Sequence, residues 1–142
     1  MSVPASDRQD GKLTVLVVAL KLTKYTLQIT KNQKVFKPEY NTAITNDIIH
    51  TAKEIYILAW RANNIRVRDP NDPDGDADRL RERLQLQAAA IEQCNELLPL
   101  IQIAKPIFHL SIGRVEYWGK LTINARTYLR SWRAADKKRY KL

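Results

Sequence analysis

The sequence predicts an all-α protein, an antiparallel up-down four-helix bundle. Apolar residues recur at steps of three and four along four long segments, and short polar or proline-containing joints separate those segments. The chain has 142 residues and only four glycines, so we expect one domain with a real core. The helices are expected at about 10–31, 39–67, 77–105 and 111–137, in a bundle spanning 11–138. A flexible leader (1–10) precedes the bundle and a basic tail (139–142) follows it.

The first helix is predicted from apolar residues and a threonine that would share one helical face: Leu13, Leu16, Leu20, Thr23 and Leu27. A run of β-branched residues in the same segment favours a strand instead: Thr14, Val15, Val17 and Val18. We prefer the helix because the apolar positions span more than four turns and no turn residue interrupts them.

The second helix is expected to begin near Pro38, since proline suits a first helical turn. Its inward face would comprise Ile44, Ile48, Ala52 or Ile55, Ala59 and Ala62. Trp60 and Tyr56 lie off that line and would either widen the core or face a neighbouring subunit.

The third helix follows an acidic loop, and Pro99 is expected to kink or end it before Pro106 closes the segment. Its inward face is predicted to contain Leu80, Leu84, Ala88, Ile91, Cys94 or Asn95, Leu98 and Ile101.

The fourth helix, with Ser111 as its expected cap and His109 as a weaker candidate, carries two adjoining faces of opposite character. The inward face comprises Trp118, Thr122, Ala125, Leu129 and Trp132, and the neighbouring basic stripe comprises Arg126, Arg130, Arg133 and Lys137. Lys138 and Arg139 continue the charge. From His109 onward nine Lys or Arg stand against two acids, so +7 of the net charge of +9 lies in the last quarter of the chain.

This charge predicts a polyanionic partner, nucleic acid before a membrane surface. Cations held on one rigid surface bind phosphates by releasing condensed counterions, which is what the basic stripe offers. Lys31, Lys34 and Lys37 form a second basic patch at the first joint. The end of the fourth helix is expected at the opposite pole of the bundle, near Arg66 and Arg68.

Other chemistry finds little support in the sequence. In the acidic loop 69–78, DPNDPDGDAD, aligning Gly75 with the glycine of a calcium loop puts Pro70 and Arg81 at ligand positions, so calcium is not expected. Instead its last aspartates should cap the next helix and oppose its dipole. His50 and His109 lack metal-site spacing. We therefore expect no enzyme activity, no metal and no cofactor.

The place of action is expected to be the cytoplasm. The apolar run from Leu13 to Leu22 is too short to span a membrane. A single cysteine, Cys94, excludes an internal disulfide and suits a reducing compartment, where it is expected to be a small buried residue.

Taken together, these features resemble a known family. The segment KLTVLVVALKLTKYTLQI, the Lys37–Pro38 joint, Ala62 and Asn63 near the end of the second helix, and Trp132 before a basic tail are similar to a group of small four-helix bundle proteins. That group comprises the 23S rRNA intervening-sequence proteins and the accessory variability determinant (Avd) of diversity-generating retroelements. The resemblance covers about residues 12–138.

The resemblance implies a homopentamer arranged as a barrel, with binding to RNA or DNA. In the retroelement branch it also implies a complex with the element's reverse transcriptase that supports mutagenic cDNA synthesis, and the basic fourth helix favours that branch. The alternative is an intervening-sequence-type protein that acts as an interaction scaffold without touching nucleic acid. Peripheral membrane attachment is a weaker third hypothesis, because the apolar face of the fourth helix is needed for the core.

Overall fold

The computed structural model describes residues 5–69, 72 and 75–140, with side chains from Thr14 onward. Within them the chain forms four α-helices: α1 (Ala5–Thr30), α2 (Asn46–Asn64), α3 (Asp76–Phe108) and α4 (Ile112–Arg139). The first four residues of the expected leader, four positions of the acidic loop and the last two residues of the basic tail lie outside the described part. Residues 5–10, which were also assigned to the leader, are helical.

The helical prediction for α1 is confirmed, but its predicted inward face is only partly right, since Thr23 is buried and Leu16 packs against the core. Leu20 and Leu27 are 40% and 42% exposed, and the side chain of Leu13 lies outside the described part. The buried residues are Val15, Ala19, Leu22, Thr23, Thr26, Ile29 and Thr30. Threonine can be buried here because each hydroxyl donates to a carbonyl one turn back, at 3.0 Å, 2.9 Å and 2.7 Å for the three threonines in order.

The second helical segment begins at Pro38, as predicted, and winds through a 3₁₀ turn (Pro38–Tyr40) and a π turn (Asn41–Thr45) into α2. It ends at Asn64, and Ile65 is extended. The whole predicted inward face is buried, including both Ala52 and Ile55. Trp60 does not widen the core, since it is 50% exposed.

Helix α3 continues through Pro99 and Pro106 and ends only at Phe108, followed by His109 in the left-handed conformation (φ 53°). Both prolines are exposed, so water can satisfy the carbonyls that lose an amide donor. The predicted face is only partly right: Ala88, Ile91 and Leu98 are half-buried. The buried residues are Asp76, Leu80, Arg83, Leu84, Gln87, Ala90, Cys94, Leu97, Ile101, Ala104 and Phe108.

The prediction for α4 is confirmed. All five residues of its predicted inward face are buried, and the hydroxyl of Ser111 accepts from the Arg114 amide at 3.2 Å to cap the helix. Trp118 is fully buried and its indole Nε1 donates to the Thr26 hydroxyl at 3.0 Å, which joins α4 to α1.

The four helices pack as a bundle in which α1 and α3 each contact both α2 and α4. At one pole the ring of Phe36, in the first joint, lies 4.5 Å from that of Phe108 at the end of α3. At the other pole the Tyr140 hydroxyl, just after α4, donates to the Val67 carbonyl at 3.5 Å. These contacts place the joints at opposite ends, as the up-down arrangement predicts. They do not address the oligomeric state.

Candidate nucleic-acid interface

The basic stripe of α4 lies along one side of the bundle, but its members differ in how freely they reach solvent. Arg130, Lys138 and Arg139 are exposed, whereas Arg126, Arg133 and Lys137 are half-buried. Two of the half-buried residues, Arg126 and Arg133, contact α3, which packs against α4. Three of the six predicted cations are therefore fully available at the surface.

The two half-buried arginines are held by neutral groups of α3. Nη1 of Arg126 donates to Oδ1 of Asn95 at 2.8 Å, and Nε of Arg133 donates to the Leu84 carbonyl at 3.1 Å. Nε of Arg126 is buried and has no acceptor in the described part of the chain. Because neither acceptor is charged, both guanidinium groups keep their positive field while their positions are fixed. Their main contribution to the stripe is therefore a fixed positive potential, because their side chains are not free to move toward a ligand.

The acid of this stretch, Asp136, is removed from the surface by a buried ion pair. Its Oδ2 accepts from Nε of Arg83 at 2.7 Å and from Nε2 of Gln87 at 2.7 Å. Asp136 is 2% exposed and Arg83 4%. The carboxylate therefore does not offset the stripe, and the available charge of α4 is higher than the sequence count indicates.

Arg83 also links three helices. Its Nη1 donates to the carbonyl of Ile65, the residue after α2, at 2.9 Å, and its guanidinium carbon lies 5.1 Å from the centre of the Trp132 ring. The side chain thus fixes the end of α2 against α3 and α4. Sequence reasoning missed this network, although Asp136 falls one turn beyond Trp132 on the predicted inward face and could have indicated it.

The basic end of α4 lies close to the joint between α2 and α3. Tyr140 contacts the carbonyl of Val67, the residue between Arg66 and Arg68, and both arginines are exposed. The expectation that these residues share a pole is therefore met. Lys31, Lys34 and Lys37 are also exposed, but they belong to the first joint at the opposite pole and do not join the stripe.

The acidic loop organises this pole in a way that differs from the prediction. The cap residue of α3 is Gly75, which supplies no side-chain bond, so the expectation of an aspartate cap is wrong. Instead Oδ2 of Asp76 accepts from the backbone amides of Asp69 at 2.8 Å and Arg68 at 3.2 Å. Its Oδ1 accepts from Nη1 of Arg79 at 2.8 Å. Because the aspartate reaches back along the loop, it fixes the incoming chain and does not cap the first backbone amides of its own helix.

The amide of Asp69 has the largest effect on the pKa of Asp76 and lowers it, and smaller lowering effects come from the hydrogen bond of Arg79, the amide of Arg68 and the charge of Arg79. Together they hold that pKa below its ordinary value despite the opposing effect of burial. Asp76 and Asp78 both stand in the first turn of α3, where they oppose the helix dipole as predicted. Asp78 also pairs with the exposed Arg81.

Metal and thiol chemistry find no support in the described residues. No group of three or more His, Cys, Asp or Glu side chains lies close enough to hold a metal ion there. Cys94 is buried, and burial raises the pKa of its thiol to about 12 against the opposing charges of Arg126 and Arg130. In the same described part of the chain, no helix has the length and apolar character needed to cross a membrane.

Comparison with protein-family models, with curated proteins and with solved structures finds no match. The fold itself establishes the structural class of the described chain, which is an all-α protein of four packed helices. The resemblance to the intervening-sequence and Avd proteins stays a prediction from the sequence.

Proposed function

We propose that this protein is a non-catalytic nucleic-acid-binding accessory protein of the Avd type. In this role it binds RNA or DNA through α4 and associates with the reverse transcriptase of a diversity-generating retroelement to support mutagenic cDNA synthesis in the cytoplasm. The nucleic-acid part rests on the charge of α4. The retroelement and reverse-transcriptase parts rest on the resemblance described above.

The observation that carries the proposal is the contrast between the two signs of charge on α4. Its cations either reach solvent or are fixed by neutral acceptors, while Asp136 is buried against Arg83. The carboxyl-terminal half of α4 thus buries its one acid and displays cations, which suits a phosphate backbone because each neutralised phosphate releases counterions.

The test replaces the three exposed cations in the carboxyl-terminal half of α4, Arg130, Lys138 and Arg139, with glutamine. These positions make no intrachain bond in the described structure that the change would break, so the bundle should remain folded. We expect affinity for a structured RNA at moderate salt to fall by at least tenfold, measured by fluorescence anisotropy, as three phosphate contacts are lost.

A matched control replaces three other exposed lysines, Lys21, Lys53 and Lys120, with glutamine. It changes the net charge by the same amount but leaves the far end of α4 intact. The control should bind nearly as well as the unaltered protein. Equal losses in both variants would mean that net charge alone governs binding and that the carboxyl-terminal half of α4 is not the site.

A groove between α1 and α4 favours a second candidate, that of a protein-interaction scaffold. Val17, Leu20 and Tyr117 line it and are 62%, 40% and 44% exposed, which is a large apolar content for a free surface.

Under the first candidate, the Avd-type protein, the same groove would instead bind a neighbouring subunit of a homopentamer. The native mass should then be five times the 16.4 kDa of one chain.

A Val17→Lys substitution would place a charge in that groove and should reduce the assembly to smaller species in native mass spectrometry. Pull-down of the reverse transcriptase with and without nuclease separates the two candidates. Capture that survives nuclease and high salt, by a protein that binds no RNA, would favour the scaffold.

A further inference from the structure

A basic cleft lies between the end of α2 and the start of α3, apart from the α4 stripe. One part has a volume of about 520 Å³, and an adjoining part of about 400 Å³ shares three of its lining residues, Asn64, Ile65 and Glu82. The two parts therefore lie side by side, and each has a volume in the range of small-molecule sites.

The cleft combines arginines with an exposed aromatic ring. Its larger part is lined by Arg66, Arg68 and Arg79, and its smaller part by Arg61 and Trp60. All four arginines are exposed, and Trp60 is 50% exposed. The other two tryptophans, Trp118 and Trp132, are 0% and 8% exposed, so the ring at position 60 is unusual within its own chain.

Two buried residues, Asp76 and Arg83, hold residues that line the cleft in place. Asp76 binds the backbone amide of Arg68 and the guanidinium of Arg79 through different carboxylate oxygens, so it orients one arginine and anchors the chain that carries another. Behind the cleft, Arg83 holds the carbonyl of Ile65, which lines both parts. Such buried support preorganises the exposed groups and lowers the cost of ordering them when a ligand binds.

The charges and shapes suit one chemical class. Among the residues that line the cleft, four are arginines and one, the exposed Glu82, is an acid, which leaves a positive balance at the lining itself. A flat aromatic ring next to guanidinium groups matches an unpaired base and its phosphate, because stacking tolerates any base and arginine binds phosphate in a fork geometry. A duplex would hide the face of the base that Trp60 needs.

We infer that the cleft between α2 and α3 binds a nucleotide whose base is unpaired, with the base stacked on Trp60 and its phosphate held by Arg66, Arg68 and Arg79. The cleft is contiguous with the basic end of α4 through Val67. A strand lying along α4 can therefore deliver an unpaired nucleotide to it. The inference extends the proposed function, but it stands on its own residues and can fail or succeed separately.

The test follows tryptophan fluorescence during titration with an eight-nucleotide oligoadenylate, a duplex of equal length, and adenosine 5′-monophosphate. Because Trp60 is exposed and the other two tryptophans are buried, we expect the oligoadenylate to quench the fluorescence of the unaltered protein but not that of the Trp60→Leu variant. Anisotropy should show the affinity of Trp60→Leu for the oligoadenylate falling about five- to one-hundred-fold, the usual effect of losing one base–aromatic stack.

Two further variants separate stacking from general loss. Trp60→Phe keeps a ring and should retain most of the affinity. The double variant Arg66→Gln, Arg68→Gln loses two phosphate contacts, so the slope of log affinity against log salt for the oligoadenylate should be less steep by about 1.4. Duplex affinity should change little in Trp60→Leu. Circular dichroism and thermal unfolding establish that each variant is folded.

The two sources of an unpaired nucleotide are separated by the same titrations. Much tighter binding of the oligoadenylate than of the monophosphate assigns the cleft to a strand, and equal binding assigns it to a free nucleotide. The inference is overturned if neither quenches Trp60, or if Trp60→Leu weakens single-stranded and duplex binding equally. If the α4 glutamine variant loses RNA binding while the oligoadenylate still quenches its Trp60 fluorescence, the cleft binds independently of α4. The inference and the proposed function can then be judged separately.

Discussion

Asp136 and Lys137 are adjacent in the sequence, yet they belong to different parts of the protein. Asp136 is buried in the core against Arg83 and Gln87, whereas Lys137 stands with the basic stripe at the helix edge. Counting charges along α4 therefore underestimates the positive potential of its surface. A buried pair of this kind costs desolvation, so it stabilises the fold only while both partners remain.

The first prediction concerns this ion pair. Asp136→Asn would leave the buried guanidinium of Arg83 without a counter-charge, and we expect the free energy of unfolding to fall by about 3 kcal/mol. Urea unfolding followed by circular dichroism measures it. Glu116→Gln removes an exposed acid from the same helix and should change the free energy by about 0.5 kcal/mol or less. Similar values for the two variants would show that the pair contributes nothing specific.

The second prediction concerns the reactivity of Cys94. Burial raises the pKa of its thiol to about 12, so the thiol stays protonated and inaccessible at pH 8. Labelling with a thiol-reactive disulfide reagent at that pH should be slow in the folded protein and fast in urea. Rapid stoichiometric labelling without denaturant would contradict the described burial.

At the level of the helices, the faces of α2 and α4 could be predicted because apolar residues mark them without ambiguity. The faces of α1 and α3 could be predicted only in part, since their buried sides also carry polar residues whose partners are distant side chains or local backbone groups. Thr26 and Thr30 look like surface residues until their hydroxyls are seen bonded to carbonyls. Gln87 and Arg83 look exposed until Asp136 is known to oppose them, 49 and 53 positions away.

The joints between helices show the same limit. The capping role of Ser111 follows from local chemistry and could be predicted, as could the start of the second helical segment at Pro38. The role of Asp76 could not, because it depends on the loop folding back so that the amides of Arg68 and Asp69 reach its carboxylate. Sequence periodicity carries no information about that return.

The third prediction concerns this loop. The amide of Asp69, with Arg79 and Arg68, lowers the pKa of Asp76 below 3.8, so its stabilising effect is complete above pH 3.8 and is lost as the pH falls through the lower, folded value. In NMR titrations the amide shifts of Arg68 and Asp69 should change with a midpoint below pH 3.8. Asp76→Asn should abolish that titration and loosen both amides. A midpoint at or above 3.8 would rule out the described contacts.

At the scale of the whole molecule, most of the net charge lies in the last quarter of the chain, and the fold brings the end of that quarter to one pole of the bundle. The end of α4 meets Arg66 and Arg68 at one pole, beside a cleft that also contains Trp60 and Arg79. The sequence predicted the shared pole from helix order alone. It could not predict the cleft, because nothing in the spacing of residues 60–82 shows which side chains line the same depression.

The central claim is that the exposed cations in the carboxyl-terminal half of α4 contact phosphates, and the salt dependence of RNA binding tests it most directly. The slope of log affinity against log salt should be less steep by about 2 for the variant with glutamine at Arg130, Lys138 and Arg139, since each lost contact to a single strand removes about 0.7. The Lys21, Lys53 and Lys120 control should keep the slope of the unaltered protein. An unchanged slope in the α4 variant would contradict the account.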